Sequence, residues 1–149
     1  MPSYIVRHTA AIAIGAATPK SALSIITGAT RRARIKRVTL GFLSVTAADV
    51  PGTCEIVQHD TDGTGTATTP QPLDPAETAS ITTAKHTYTA EPTVNITVRD
   101  HFSISPQGVT IEKAYGPGEE LVCPISKTTT FRITMPQAQS VWIAVEFEE

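Results

Sequence analysis

Cys54, His59 and Asp60 are the nearest this chain comes to a metal-ligand set, one soft donor and two harder ones on a short stretch. Structural zinc wants paired Cys/His clusters at tight spacing, and on a strand Cys54 and His59 fall on opposite faces. Asp60-Thr61-Asp62-Gly63 opens like a calcium loop but lacks the closing bidentate glutamate, and Asp-Gly is an ordinary turn former. For nucleophilic chemistry nothing assembles. There is no Gly-x-Ser-x-Gly, no phosphate loop and no dinucleotide fingerprint. Neither Cys54 nor Cys123 has an activating neighbour in sequence, so both read as small buried thiols, with a bridge between strands as the other reading. Glu119–Glu120 and Glu148–Glu149 are adjacent pairs on a turn and at the end of the chain, and no signal marks two carboxylates flanking a scissile bond. These residues predict no enzyme, no metal and no cofactor.

The strongest feature is a basic run, Arg31, Arg32, Arg34, Lys36 and Arg37, which leads into the apolar Val38, Leu40 and Phe42. Three readings of it stand: a solvated strand start, docking on an acidic protein neighbour, and nucleic-acid contact. The last is disfavoured, because no aromatic platform is interleaved with the charges and the net charge is −2. A period of two puts Val38, Leu40 and Phe42 on one face of a strand. Arg34 and Lys36 share that parity, so they should emerge beyond the core edge or meet a partner. Trp142 is the other candidate contact. Val141, Ile143, Val145 and Phe147 fill the inward face of a last strand, which turns Trp142 outward with Ala144 and Glu146. A second core layer, or cover from a long loop, would explain it equally well.

The elements that must position these residues are strands. Threonine and β-branched residues dominate, and no helix beyond about two turns is supported. Strands are predicted at Tyr4–Ile14, Ser21–Thr27, through the basic run, at Thr53–His59, Thr93–Ser103, Val109–Lys113, Glu120–Pro124, Thr128–Met135 and Val141–Phe147. Turn signals separate them: Pro51-Gly52, the type I pattern Ser105-Pro106-Gln107-Gly108, and Tyr115-Gly116-Pro117-Gly118. Residues 60–92 are poor in large apolar side chains and read as one long, partly irregular loop, with a short helical turn at Asp74-Pro75-Ala76-Glu77. The 149 residues predict a single all-β domain over 1–149, an antiparallel, jelly-roll-like β-sandwich. No apolar run approaches the ~20 residues of a membrane helix. The apolar stretch after Arg7 is too short for a signal peptide, so the chain reads as cytoplasmic when made.

Arg31-Arg32-Ala33-Arg34-Ile35, Gly63-Thr64-Gly65-Thr66-Ala67 leading to Pro72-Leu73-Asp74-Pro75, Thr89-Ala90-Glu91-Pro92-Thr93, Ser105–Gly108 and the ending Val145-Glu146-Phe147-Glu148-Glu149 occur in an order and spacing that resembles the capsid decoration, or cement, proteins of tailed bacteriophages. The resemblance implies a structural virion protein, made in the bacterial host cytoplasm and carried on the capsid surface. Its partners would be the major capsid protein and copies of itself, as a homotrimer, with neither membrane nor nucleic acid as a partner. It carries over no active-site residues. The low charge, 17 % of residues, suits a protein whose faces are covered by neighbours. The other expectation is a carbohydrate- or receptor-binding jelly-roll module of a phage tail, for which Tyr88, Tyr115 and Trp142 are the available platforms.

Overall fold

The computed structural model describes residues 1–42, 50–93, 95, 97–105 and 110–149, without the side chains of 9–11. The expected turn at Ser105–Gly108, Asp49 ahead of Pro51-Gly52, and the phasing of Val94 and Ile96 lie wholly or partly outside those residues. Twelve strands are described: β1 Ser3–Ile14, β2 Lys20–Ile26, β3 Ala33–Phe42, β4 Gly52–His59, β5 Thr64–Thr68, β6 Gln71–Pro72, β7 Thr83–Ala90, β8 Thr97–Ile104, β9 Ile111–Ala114, β10 Leu121–Cys123, β11 Thr128–Thr134 and β12 Gln139–Glu148. No helix occurs among the described residues.

The strands form two antiparallel sheets. Sheet I has the order β10-β3-β12-β1-β6, and β9 pairs with β3 as well. Sheet II has the order β5-β7-β2-β11-β4-β8. The pairs β1·β12, β2·β11, β3 with β9 and β10, and β4·β8 are nested, the first strand with the last and so inward. This nesting is the jelly roll: a chain doubled back on itself and rolled into a two-layer sandwich. The double-back falls between β4 and β8, where β5, β6 and β7 are inserted. β7 extends sheet II beyond β2, β5 lies outside β7, and β6 extends sheet I beyond β1.

Those three strands lie in the stretch expected as a partly irregular loop. Its irregular part is 73–82, and the strands in it are threonine-rich and pair at the sheet margins, where little apolar surface is buried. The Asp74 signal is a turn without a helix: its Oδ1 accepts from Ala76 N at 2.9 Å and its carbonyl from Glu77 N at 3.0 Å.

Between the sheets, Tyr4, Val6, Ile12 and Ile14 of β1 meet the odd-numbered Val141–Phe147 of β12, and Leu23, Ile25, Ile56, Phe131 and Ile133 face them from sheet II. Each is buried, and each such side chain contributes about 1.5–3 kcal/mol. Cys54 and Cys123 are free thiols in this core, the bland reading of the pair. Burial pushes both thiols up, Cys123 to about 11, which leaves them unreactive.

β3 corrects the expected parity. Arg37 pairs with Glu146 and Ile35 with Phe147, so Lys36 is an extra residue, a β-bulge. Before it Ala33 and Ile35 face the core; after it Val38 and Leu40 do. Arg34 therefore never shares a face with Val38. It stands exposed on the other side, and the bulge resolves the clash between a charged and an apolar half-strand.

Buried His59 and half-buried His86 predict a pH-dependent stability. His8 of β1 and His86 of β7 meet across the sheets with ring centroids 3.8 Å apart. His59, 1 % exposed, has neither ring nitrogen hydrogen-bonded among the described residues. Burial lowers the pKa of both His59 and His86 below the ordinary 6.5, helped by Arg132 at His59 and by His8 at His86, and opposed at His59 by Glu91. The unfolded chain therefore binds more protons than the folded one below about pH 6.5. Stability is full above that pH and falls as pH drops toward the folded-state values. Thermal melts should show a lower midpoint at pH 5.5 than at 7.5, and a His59→Gln/His86→Gln variant should show a smaller difference.

Candidate functional site

The basic run divides at the bulge. Lys36 Nζ lies 2.9 Å from Glu120 Oε1 and 3.3 Å from Glu148 Oε2. The hydrogen bond from Lys36, then backbone amides including that of Gly118, hold the Glu120 carboxyl down at about 2, so it stays charged at any ordinary pH. Arg37 donates from Nε (3.2 Å) and Nη2 (2.5 Å) to Glu146 Oε2 and has Glu112 at 3.7 Å. These two cations are neutralised inside the chain. Arg31, Arg32 and Arg34 are exposed and form no ion pair among the described residues. Of the five basic candidates, three thus form no ion pair among the described residues, and two hold the outer face of sheet I together.

The acidic candidates are likewise taken. Asp60 Oδ1 accepts from Lys127 Nζ at 2.5 Å and its Oδ2 from Asn95, while Asp62 pairs with Lys85. Cys54 faces the core and His59 the opposite side of β4, as their spacing implies.

Trp142 does point outward, and its position depends on a residue that sequence reasoning passed over. Trp142 pairs directly with Gly41 of β3. A Cβ built on Gly41 would overlap Nε1, Cε2 and Cζ2 of the indole, the last at 2.5 Å. The indole fills the space of the absent side chain and lies across β3. The signal was present, since an isolated glycine inside a strand marks a close approach. Above the indole is a cleft of about 310 Å³ on the outer face of sheet I, lined by Ile5, Arg7, His8, Thr39 and Ala144 and by the Arg37–Glu146 pair. A second cleft of about 450 Å³ adjoins it, sharing Ile5 and Arg7 and lined by Thr68, Thr69 and Gln71. Arg7 is exposed and forms no ion pair among the described residues.

Of the three aromatic platforms, only Trp142 opens on this groove. Tyr88 is 3 % exposed, and Tyr115 packs on the core and donates from Oη to Asp100 Oδ2 at 2.7 Å. The site is a half-apolar groove with an indole floor, one neutralised Arg–Glu pair and one free guanidinium. That arrangement can bind and orient. It places no nucleophile beside a base.

No family model, curated protein or solved structure matches this chain.

Proposed function

We propose that this protein is a structural virion subunit, a capsid decoration protein that binds the outer surface of an assembled capsid as a homotrimer and stabilises the contacts between capsomers. One observation carries the reading: Arg31, Arg32 and Arg34 stand exposed around the start of β3 with no ion pair among the described residues, while the adjacent Lys36 and Arg37 are neutralised internally. Free guanidiniums beside a closed charge network fit docking on an acidic neighbouring protein, where bidentate pairs form at no cost to the fold. A ligand that binds only the assembled lattice stabilises that lattice by mass action, and repeated weak contacts sum over a closed shell. The jelly roll supplies a rigid brick for this work.

The test is to purify particles from cells infected by the phage that encodes this chain, and to count its copies by quantitative mass spectrometry. Stoichiometric copies per capsomer are expected. Arg31→Glu/Arg32→Glu/Arg34→Glu should weaken rebinding to stripped particles by at least roughly tenfold, the effect of losing charged hydrogen bonds. The melting curve should not change, since none of the three forms an ion pair among the described residues. Absence from particles, or equal binding of the triple variant, would overturn the reading, as would tight binding to duplex DNA at physiological salt.

The groove over Trp142 favours a second reading, a carbohydrate-binding module. The two surfaces do not exclude each other, because Ala33 and Gly41 are about 25 Å apart along β3.

A further inference from the structure

We infer that the groove on the outer face of sheet I is a binding site for a carboxylate-bearing oligosaccharide of two or three sugar rings. The inference rests on the carbohydrate reading of this groove and is independent of the virion reading.

Four features point to that ligand class. The indole of Trp142 is held down by Gly41 and presents a fixed aromatic surface, which suits the C–H face of a pyranose. Arg37 and Glu146 stand at the rim with planar donors and a carboxylate acceptor already oriented on each other at 2.5 Å, the combination that hydrogen-bonds neighbouring hydroxyls. The adjoining cleft is lined by hydroxyls and an amide from Thr68, Thr69 and Gln71, with Ile5 as its only large apolar group. It therefore offers a second polar ring position and no hole for an aliphatic peptide side chain.

Arg7 decides the charge. It lines both clefts, so it sits where two rings would join, and no carboxylate of the described chain neutralises it. The other guanidinium there, that of Arg37, is matched by Glu146 and Glu112. With His8 also in the lining, Arg7 is the guanidinium of the groove without a carboxylate partner among the described residues, which a single ligand carboxylate complements with a bidentate pair.

Trp142 is the only tryptophan in the chain, so its fluorescence reports on this site directly. The full chain would be titrated with digalacturonate and with 3′-sialyllactose, against lactose as the neutral control. A saturating change in intensity or wavelength is expected with at least one acidic sugar, at millimolar affinity or tighter. The response to lactose should be at least about tenfold weaker, as a lost charge-assisted pair implies. Arg7→Gln should remove the preference for acid and leave the melting temperature unchanged. Isothermal calorimetry of Trp142→Ala should show binding abolished, with folding checked by circular dichroism. Equal binding of acidic and neutral sugars would overturn the carboxylate assignment and spare the carbohydrate reading. No response to any sugar would overturn both. A fluorescence change driven by protein concentration alone, lost in Arg7→Glu, would mean that a second copy occupies the groove, and would overturn the inference too.

Discussion

Replacing Gly41 by valine will throw the indole of Trp142 off the outer face of sheet I. The new Cβ would overlap three atoms along the nitrogen edge of the indole, a rigid bicycle that must swing away as a whole to relieve the collision. Two effects oppose each other. Valine suits a strand better than glycine by up to about 1 kcal/mol. Overpacking costs about 1–3 kcal/mol, and the ejected indole loses what burial it had. The collision wins, and the expected net loss is about 2 kcal/mol. Trp142 emission should move to longer wavelength as the ring enters water, and any saccharide response should vanish with it. Trp142→Ala in the Gly41→Val background removes the clash, so the double variant should be more stable than Gly41→Val alone, a coupling a mutant cycle measures. A Gly41→Val protein that melts like the parent, with unshifted emission, would show that the indole does not depend on Gly41.

The sandwich was legible because its longest strands alternate cleanly. β12 reads buried and half-buried in strict turn, and β1 keeps its parity across an irregularity after His8. The doubled-back topology follows once long terminal strands pair. Less could be read where one inserted residue changes everything after it. Nothing in Arg34-Ile35-Lys36-Arg37 announces a bulge, so period-two reasoning carried Arg34 onto the wrong face. The strands at 64–72 and 83–90 were hidden for a different reason. They sit on sheet margins, and their threonines and small residues satisfy a backbone ladder without an apolar signature. The outward turn of Trp142 was readable by elimination; the glycine that seats it and the free Arg7 beside it became meaningful only when β1, β3 and β12 were placed side by side. Glu149 is the clearest case of a role that no local pattern encodes, since its partners lie far away in sequence.

Glu149→Ala should destabilise the protein by about 3 kcal/mol, which for a domain of this size lowers the melting temperature by about 9 °C. The Glu149 side chain is nearly buried and accepts from Ile81 N at 2.9 Å, Thr82 N at 3.1 Å and Thr82 Oγ1 at 2.6 Å. It holds the irregular 73–82 segment onto the end of β12, close to where Tyr4 Oη donates to Thr78 O at 3.0 Å. Thr82 N keeps a second acceptor in Ser80 Oγ at 3.1 Å and Ile81 is 42 % exposed, but Thr82 is 1 % exposed and its Oγ1 has no other partner among the described residues. Truncation therefore strands the Thr82 hydroxyl away from water, which costs more than that bond contributes, and removes two further charge-assisted bonds to backbone amides. Glu149→Gln keeps one oxygen acceptor, so its loss should be about half as large. Hydrogen exchange separates this from a general weakening: the amides of Ile81 and Thr82 should lose protection before the β12 ladder does. If both amides stay protected in Glu149→Ala and the melting point holds, the carboxylate is not what pins the segment, and the packing around Tyr4 must be doing so instead.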